Sequence, residues 1–251
     1  MRTGLLLAAL AGAAPVRAQA RGPIVMTTVI PKDEAPLGQW LNLIYREAFR
    51  RLGLELVYVY LPPRRGEVDA DAGNVDGELA RGPDYGASHP ALVRVEEPAM
   101  MLTMSAFTVD PVIRVQGWES LQSARYRIEY RAGFRGPEEQ LALFARGASV
   151  SSVATTGQGL QKLVAGRTDM YIDLEEYVAT RLHDAPFANS ERIVKAGVLA
   201  KFAVHAYLNR KHAALQPALS AALRDMKKEG LIAKYRAQAE AAAVSAAPPD
   251  K

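Results

Sequence analysis

The sequence predicts an α/β protein of two lobes, each a mainly parallel sheet flanked by helices and joined to the other by two crossing segments. Three observations carry that expectation: a βαβαβ alternation early in the chain, a second one further along, and a short signature that both share before their third strand.

The chain opens on Met1 and Arg2, an apolar run over residues 4–14, and small residues suited to cleavage at 16–18 or 18–20. This is the grammar of a secretory signal peptide, and the run is shorter than the roughly 20 residues a bilayer span needs. No cysteine is present, which excludes a lipid-anchored thioether, disulfides and thiol chemistry. The mature chain is expected to work free in an extracytoplasmic space and to rely on core burial.

Composition fits that role. Apolar residues make up 49% of the chain, enough for a substantial core, and the formal charge of +4 falls to +2 once Arg2 and Arg17 leave with the signal. The remaining charges are interspersed, so no nucleic-acid surface is expected.

Residues 24–30 read as a strand. Leu41, Ile44, Ala48 and Leu52 then recur at helical spacing, and Gly53 stops that helix. A strand at 54–60 follows, Pro62 and Pro63 break the chain, a short polar helix spans about 65–72, and a third strand runs over 75–80. In the second unit, a strand at 127–131 leads to a helix opened by Pro137 and closed by Gly147. A strand at 150–153 precedes a helix with a Thr155/Gln158 capping box that ends at Gly166. A strand at 169–172 then leads to a helix capped by Asp173 and Glu176. Gly73-Asn74-Val75-Asp76 and Gly166-Arg167-Thr168-Asp169 stand at matching places. The β-rich stretches 107–113 and 198–208 are the expected crossings. These place the first lobe at 21–106 and 199–238, the second at 107–198, and a disordered Ala/Ser/Pro tail at 239–251.

This order resembles the bacterial extracellular solute-binding proteins of the amino-acid type, the periplasmic receptors of ABC importers. The resemblance rests on the Gly73-to-Asp76 step, Glu97-Pro98, Trp118-Glu119-Ser120-Leu121, Ala165-Gly166-Arg167-Thr168-Asp169, Leu208-Asn209-Arg210-Lys211-His212 and Met226-Lys227-Lys228-Glu229-Gly230. It implies a monomeric periplasmic receptor without a cofactor or metal, which closes on a small-molecule ligand and docks on an inner-membrane ABC permease or on a membrane sensor protein. The segment Asp76-Gly77-Glu78-Leu79-Ala80-Arg81 has an arginine where that family usually has a hydroxyl residue. Tyr85-Gly86-Ala87-Ser88-His89-Pro90 lacks the usual ligand-clamping arginine, which marks a divergent branch.

Ligands of open parallel sheets sit beyond the carboxyl ends of the strands. In the first lobe that selects Glu78 and Arg81; the guanidinium fork suits a carboxylate, while an ion pair with Glu78 or Glu97 is the structural alternative. If Arg81 serves the ligand, removing it should abolish binding and leave the melting temperature unchanged. Arg64 and Arg65 fall at the start of the short helix, against its dipole, where either an anionic ligand offsets the cost or the pair is simply solvated. In the second lobe Gly133, Phe134 and Arg135 precede a helix start whose amides suit an anion. Tyr171 and Asp173 end its third strand, where Asp173 either receives a ligand ammonium or caps its helix. Trp40 is expected in the core.

The sequence spells no catalytic set. His89, His183, His205 and His212 are scattered, and hydrolase-elbow, phosphate-loop and dinucleotide motifs are absent. A small-carboxylate dehydratase of the same fold would draw its acid or base from Glu78, Glu138 or Asp173.

Overall fold

A computed structural model describes residues 22–31, 35–122, 125–133, 135–188 and 192–246, so the expected signal segment lies outside the described residues. The first lobe contains β1 (Ile24–Thr28), α1 (Ala35–Arg51), β2 (Leu56–Tyr60), α2 (Pro63–Asp71) and β3 (Gly77–Arg81). β1 pairs in parallel with β2 and β3, the βαβαβ unit the spacing predicts. The short β4 (Leu92–Arg94) and the long β5 (Met100–Thr108) follow. The second lobe contains β6 (Arg127–Arg131), α3 (Arg135–Phe144), β7 (Ser149–Val153), α4 (Thr156–Val164), β8 (Met170–Leu174) and α5 (Glu175–Arg181), with β6 parallel to β7 and β8. β9 (Val194–Asn209), α6 (Gln216–Lys228) and α7 (Leu231–Ala246) complete the chain.

The strands run in the order β2-β1-β3-β9-β5-β8-β6-β7, with β4 also paired to β9. β9 is the shared element. Its carboxyl half closes the first sheet antiparallel to β3 and β4, and its amino half pairs with β5 in the second. β5 and β9 therefore run antiparallel to each other and form a two-stranded link between the lobes. The first crossing lies upstream of the expected 107–113. The β5 sequence Met-Met-Leu-Thr-Met-Ser-Ala-Phe-Thr contains no Val or Ile, so strand propensity understates it.

α1 buries Leu41, Ile44, Tyr45, Ala48 and Phe49 against β1 and the C-terminal helices. Trp40 joins this core at 7% exposure, its indole N–H donating to the Ile232 carbonyl of α7 at 2.9 Å. The expectation of a disordered tail from Ala239 is corrected: α7 continues to Ala246 and Ala239 is buried. Alanine is the strongest helix former, so an alanine-rich stretch that finds a surface to pack on is helical rather than disordered. Among the described residues no helix is long and apolar enough to cross a membrane.

The shared signature is structural. Asp76 accepts the Val25 amide and Asp169 the Arg127 amide, both at 2.8 Å, so each aspartate ties the start of its unit's first strand to its third. Gly73 and Gly166 stand three residues earlier with φ of 75° and 67°, the left-handed turn in which glycine carries no Cβ penalty.

Candidate functional site

In the first lobe, Glu78 and Arg81 come together only because β3 is irregular. In a regular strand residues three apart point to opposite faces. Here the register shifts between Glu78 and Arg81, and Ala80 takes φ 63°, a left-handed conformation rare outside glycine. The bulge swings the guanidinium round to Glu78, with Arg81 Nη2 donating to Glu78 Oε1 at 2.6 Å and Nη1 lying 3.9 Å from Glu67 Oε1. Of the two partners the sequence offers Arg81, the fold selects Glu78, while Glu97 pairs with Lys227 and Arg224.

The pair is buried, with side-chain exposures of 11% for Arg81 and 1% for Glu78. This burial favours the ion-pair alternative for Arg81, since its removal would strand a buried carboxylate. The guanidinium also lies over the Tyr85 ring at 4.6 Å, Tyr85 stacks on His89, and His89 Nδ1 meets Asp71 at 2.8 Å. Among the described residues Thr27 Oγ1, Glu78 Oε2 and Arg81 Nε are buried without a hydrogen-bond partner, two acceptor-capable oxygens and one donor in one neighbourhood. α2 covers them. Gly66 is the contact point, because a Cβ there would lie 3.1 Å from Glu78 Oε1 and 3.4 Å from Thr27 Oγ1. Arg64 and Arg65 are in the first turn of α2 but exposed, and Arg65 pairs with Asp69 instead of joining the cluster.

The second lobe repeats the plan. Glu129 stands opposite Tyr171 in the β6–β8 ladder as Thr27 stands opposite Glu78 in β1–β3. Gly159 of α4 lies over Tyr171 as Gly66 lies over Glu78, and a Cβ on Gly159 would come within 2.1 Å of the ring. Asp173 is one alternation further along β8 and is 1% exposed. Its Oδ2 accepts the hydroxyls of Thr156 and Tyr171, each at 2.6 Å, and its Oδ1 accepts the Leu174 amide at 2.8 Å. The cap expected of Asp173 and Glu176 does not form. α5 begins one residue later, Leu174 occupies its N-cap without a side-chain bond, and Asp173 turns inward under α4. Thr155 and Gln158 do form their capping box. Burial pushes the Asp173 carboxyl above the ordinary aspartate range, although the Arg131 charge and the bonds from Thr156 and Tyr171 oppose the shift.

Arg131, at the last position of β6, is the residue the sequence reading passes over. It is half-buried, its guanidinium lies 4.0 Å from the Tyr177 ring centroid, and it faces Asp173 electrostatically. The strand-end rule selects it, although the glycine and helix start just beyond it form the more familiar anion-binding pattern. Gly133 is in the exposed turn after β6 with φ 100°. Phe134 lies outside the described residues, and Arg135 opens α3, its side chain outside the described part. Glu138, in the first turn of α3, is exposed. Among the described residues no group of His, Asp or Glu is arranged to hold a metal.

No family model matches the sequence. The chain is 31% identical over 203 residues to an uncharacterized protein of Shewanella oneidensis, an alignment covering 81% of this chain and 76% of that protein. Among solved structures, the GluR0 ligand-binding core in complex with L-glutamate superposes with a TM-score of 0.71 at 9% identity, over 88% of this chain and 99% of that one. An amino-acid ABC transporter substrate-binding protein from Streptococcus pneumoniae bound to L-arginine gives 0.67 at 14% identity, covering 88% and 96%. A histidine kinase sensor domain with similarity to periplasmic binding proteins also gives 0.67, at 15% identity over 86% and 95%. At such identities these likenesses show the fold alone.

Proposed function

This chain belongs to the same family as the Shewanella oneidensis protein, and from that premise we propose that it is a periplasmic receptor for a small carboxylate-bearing molecule, an amino acid or an organic acid. The observation that carries the reading is the repeated design of the two lobes: each ends its parallel strands in a cluster of acid, arginine and aromatic side chains, and two strands link the lobes. Glu78, Arg81 and Glu67 form one cluster, and Arg131, Tyr171, Asp173 and Tyr177 the other. Arg131, oriented on Tyr177, is the cation assigned to the ligand carboxylate, with the start of α3 a few residues further along the chain. Glu67, beside the buried Arg81–Glu78 pair, offers an acceptor for an ammonium group. A ligand touching both clusters favours the closed lobes through the contacts made only there.

Delivery to an ABC permease is the first reading of the output. Docking on a membrane sensor is the second, supported by the equal structural similarity to the sensor-kinase domain. A thermal-shift panel of amino acids, small organic acids and their amides tests the receptor reading. One carboxylate class should raise the melting temperature of the mature protein, and a panel without any shift would sink it.

A further inference from the structure

A second cavity lies away from the strand ends, between α1 and α7 of the first lobe and α5 of the second. Its volume is about 470 Å³, within the range of small-molecule sites. Leu37 and Trp40 of α1, Ala179 of α5 and Ala243 of α7 give it an apolar wall. Its charged groups are Glu176, Asp184, Arg236 and Glu240, with His183 at the edge. Most of these are already satisfied. Arg236 pairs with Glu240 at 2.8 Å and lies over the Trp40 ring at 5.4 Å, and Asp184 pairs with Arg181 at 2.8 Å.

Glu176 is the exception. Its Oε2 is buried without a hydrogen-bond partner among the described residues, and burial raises its carboxyl above the ordinary glutamate range although its own amide and that of Thr103 oppose the shift. Thr103 belongs to β5, one of the two linking strands, so this carboxylate sits where α5, the hinge and the cavity meet.

We propose that this cavity is a second binding site, distinct from the cleft, for a molecule with a flat apolar body and an ammonium head, the body lying along Leu37, Trp40, Ala179 and Ala243 and the ammonium donating to Glu176. A cation is favoured because Glu240 and Asp184 are matched by Arg236 and Arg181, whereas Glu176 makes no ion pair among the described residues and its Oε2 has no hydrogen-bond partner there. The walls come from both lobes, so an occupant bears on the hinge as well as on the cavity.

Phenethylamine is a suitable probe, with Trp40 as reporter. Titrated into the mature protein, it should change tryptophan fluorescence saturably, and Trp40→Phe should remove that signal. Glu176→Gln should weaken binding about tenfold or more, the loss expected of one charge-assisted hydrogen bond. Ala179→Phe, which fills the cavity from an exposed helix position, should abolish binding and covers the case in which Glu176→Gln fails to fold. Phenylacetate, of similar shape and opposite charge, should not compete. Equal affinity in the wild type and Glu176→Gln, or no saturable change at millimolar amine, would each overturn the proposal.

Discussion

Arg81 illustrates how one residue's chemistry is fixed by its neighbours. Its guanidinium is shared between Glu78 and Glu67 and stacked on Tyr85, so it neutralises a carboxylate that water cannot reach. Arg81→Ala should cost about 3–5 kcal/mol of stability by leaving Glu78 charged and unpaired, and Arg81→Ala with Glu78→Gln should recover much of that loss in urea melts. Recovery shows the ion pair is the cause; equal loss in both variants means that packing dominates. Ala80 is the companion case. Ala80→Gly should keep or raise stability by up to about 1 kcal/mol because it relieves the left-handed strain, whereas Ala80→Val should break the bulge and the pair together. The Arg81–Glu78 pair stood among the sequence's alternatives, but the backbone irregularity that makes it was not readable. Period two places 78 and 81 on opposite faces, and nothing in a Leu-Ala-Arg triplet announces a left-handed alanine. Arg131, by contrast, was within reach of the strand-end rule and lost only to the more familiar helix start beside it.

Among the elements, the two βαβαβ units are equivalent down to the glycine that lets each covering helix touch its third strand. The contacts differ in hardness. A Cβ at Gly159 meets an aromatic ring at 2.1 Å, while one at Gly66 meets the movable end of Glu78 at 3.1 Å. Gly159→Ala should therefore destabilise by about 1–3 kcal/mol and disturb Tyr171 and Asp173, with a smaller effect from Gly66→Ala, as thermal melts of the pair would reveal. The aspartate steps give a pH prediction. The Asp169 carboxyl is held low by hydrogen bonds from the Arg127 side chain, which outweigh its burial. Burial also acts against Asp76, where bonds from Lys211, the Val25 amide and His212 win. Both folded-state values lie below the unfolded ones, so this stabilisation is present in full above about pH 4 to 5 and is lost as pH falls through the folded values. Asp169→Asn should lower stability at pH 7 and flatten its decline between neutral and acidic pH; an unaltered decline would remove Asp169 from the account. These units were legible because Gly and Asp are needed at fixed steps whatever packs around them. The helix after Gly230 was legible up to residue 238, but its continuation to Ala246 was not, because an alanine-rich tail reads as disorder until the surface of α1 is present, and the cavity that this end of α7 helps to wall was hidden with it.

For the whole molecule, β5 and β9 link two similar lobes, and the proposed receptor function rests on the side-chain clusters at the strand ends of each. The central claim is that the ligand's carboxylate is recognised by Arg131 in the cleft. Calorimetric titration tests it most directly, using wild type and Arg131→Gln with the carboxylate that most raises the melting temperature, and with that compound's amide. The account expects a single saturating site for the acid in the wild type. Binding should be weaker by about tenfold or more for both the amide and the variant, the loss of a charge-assisted contact. Equal affinity for acid and amide, or full affinity in Arg131→Gln, would contradict it.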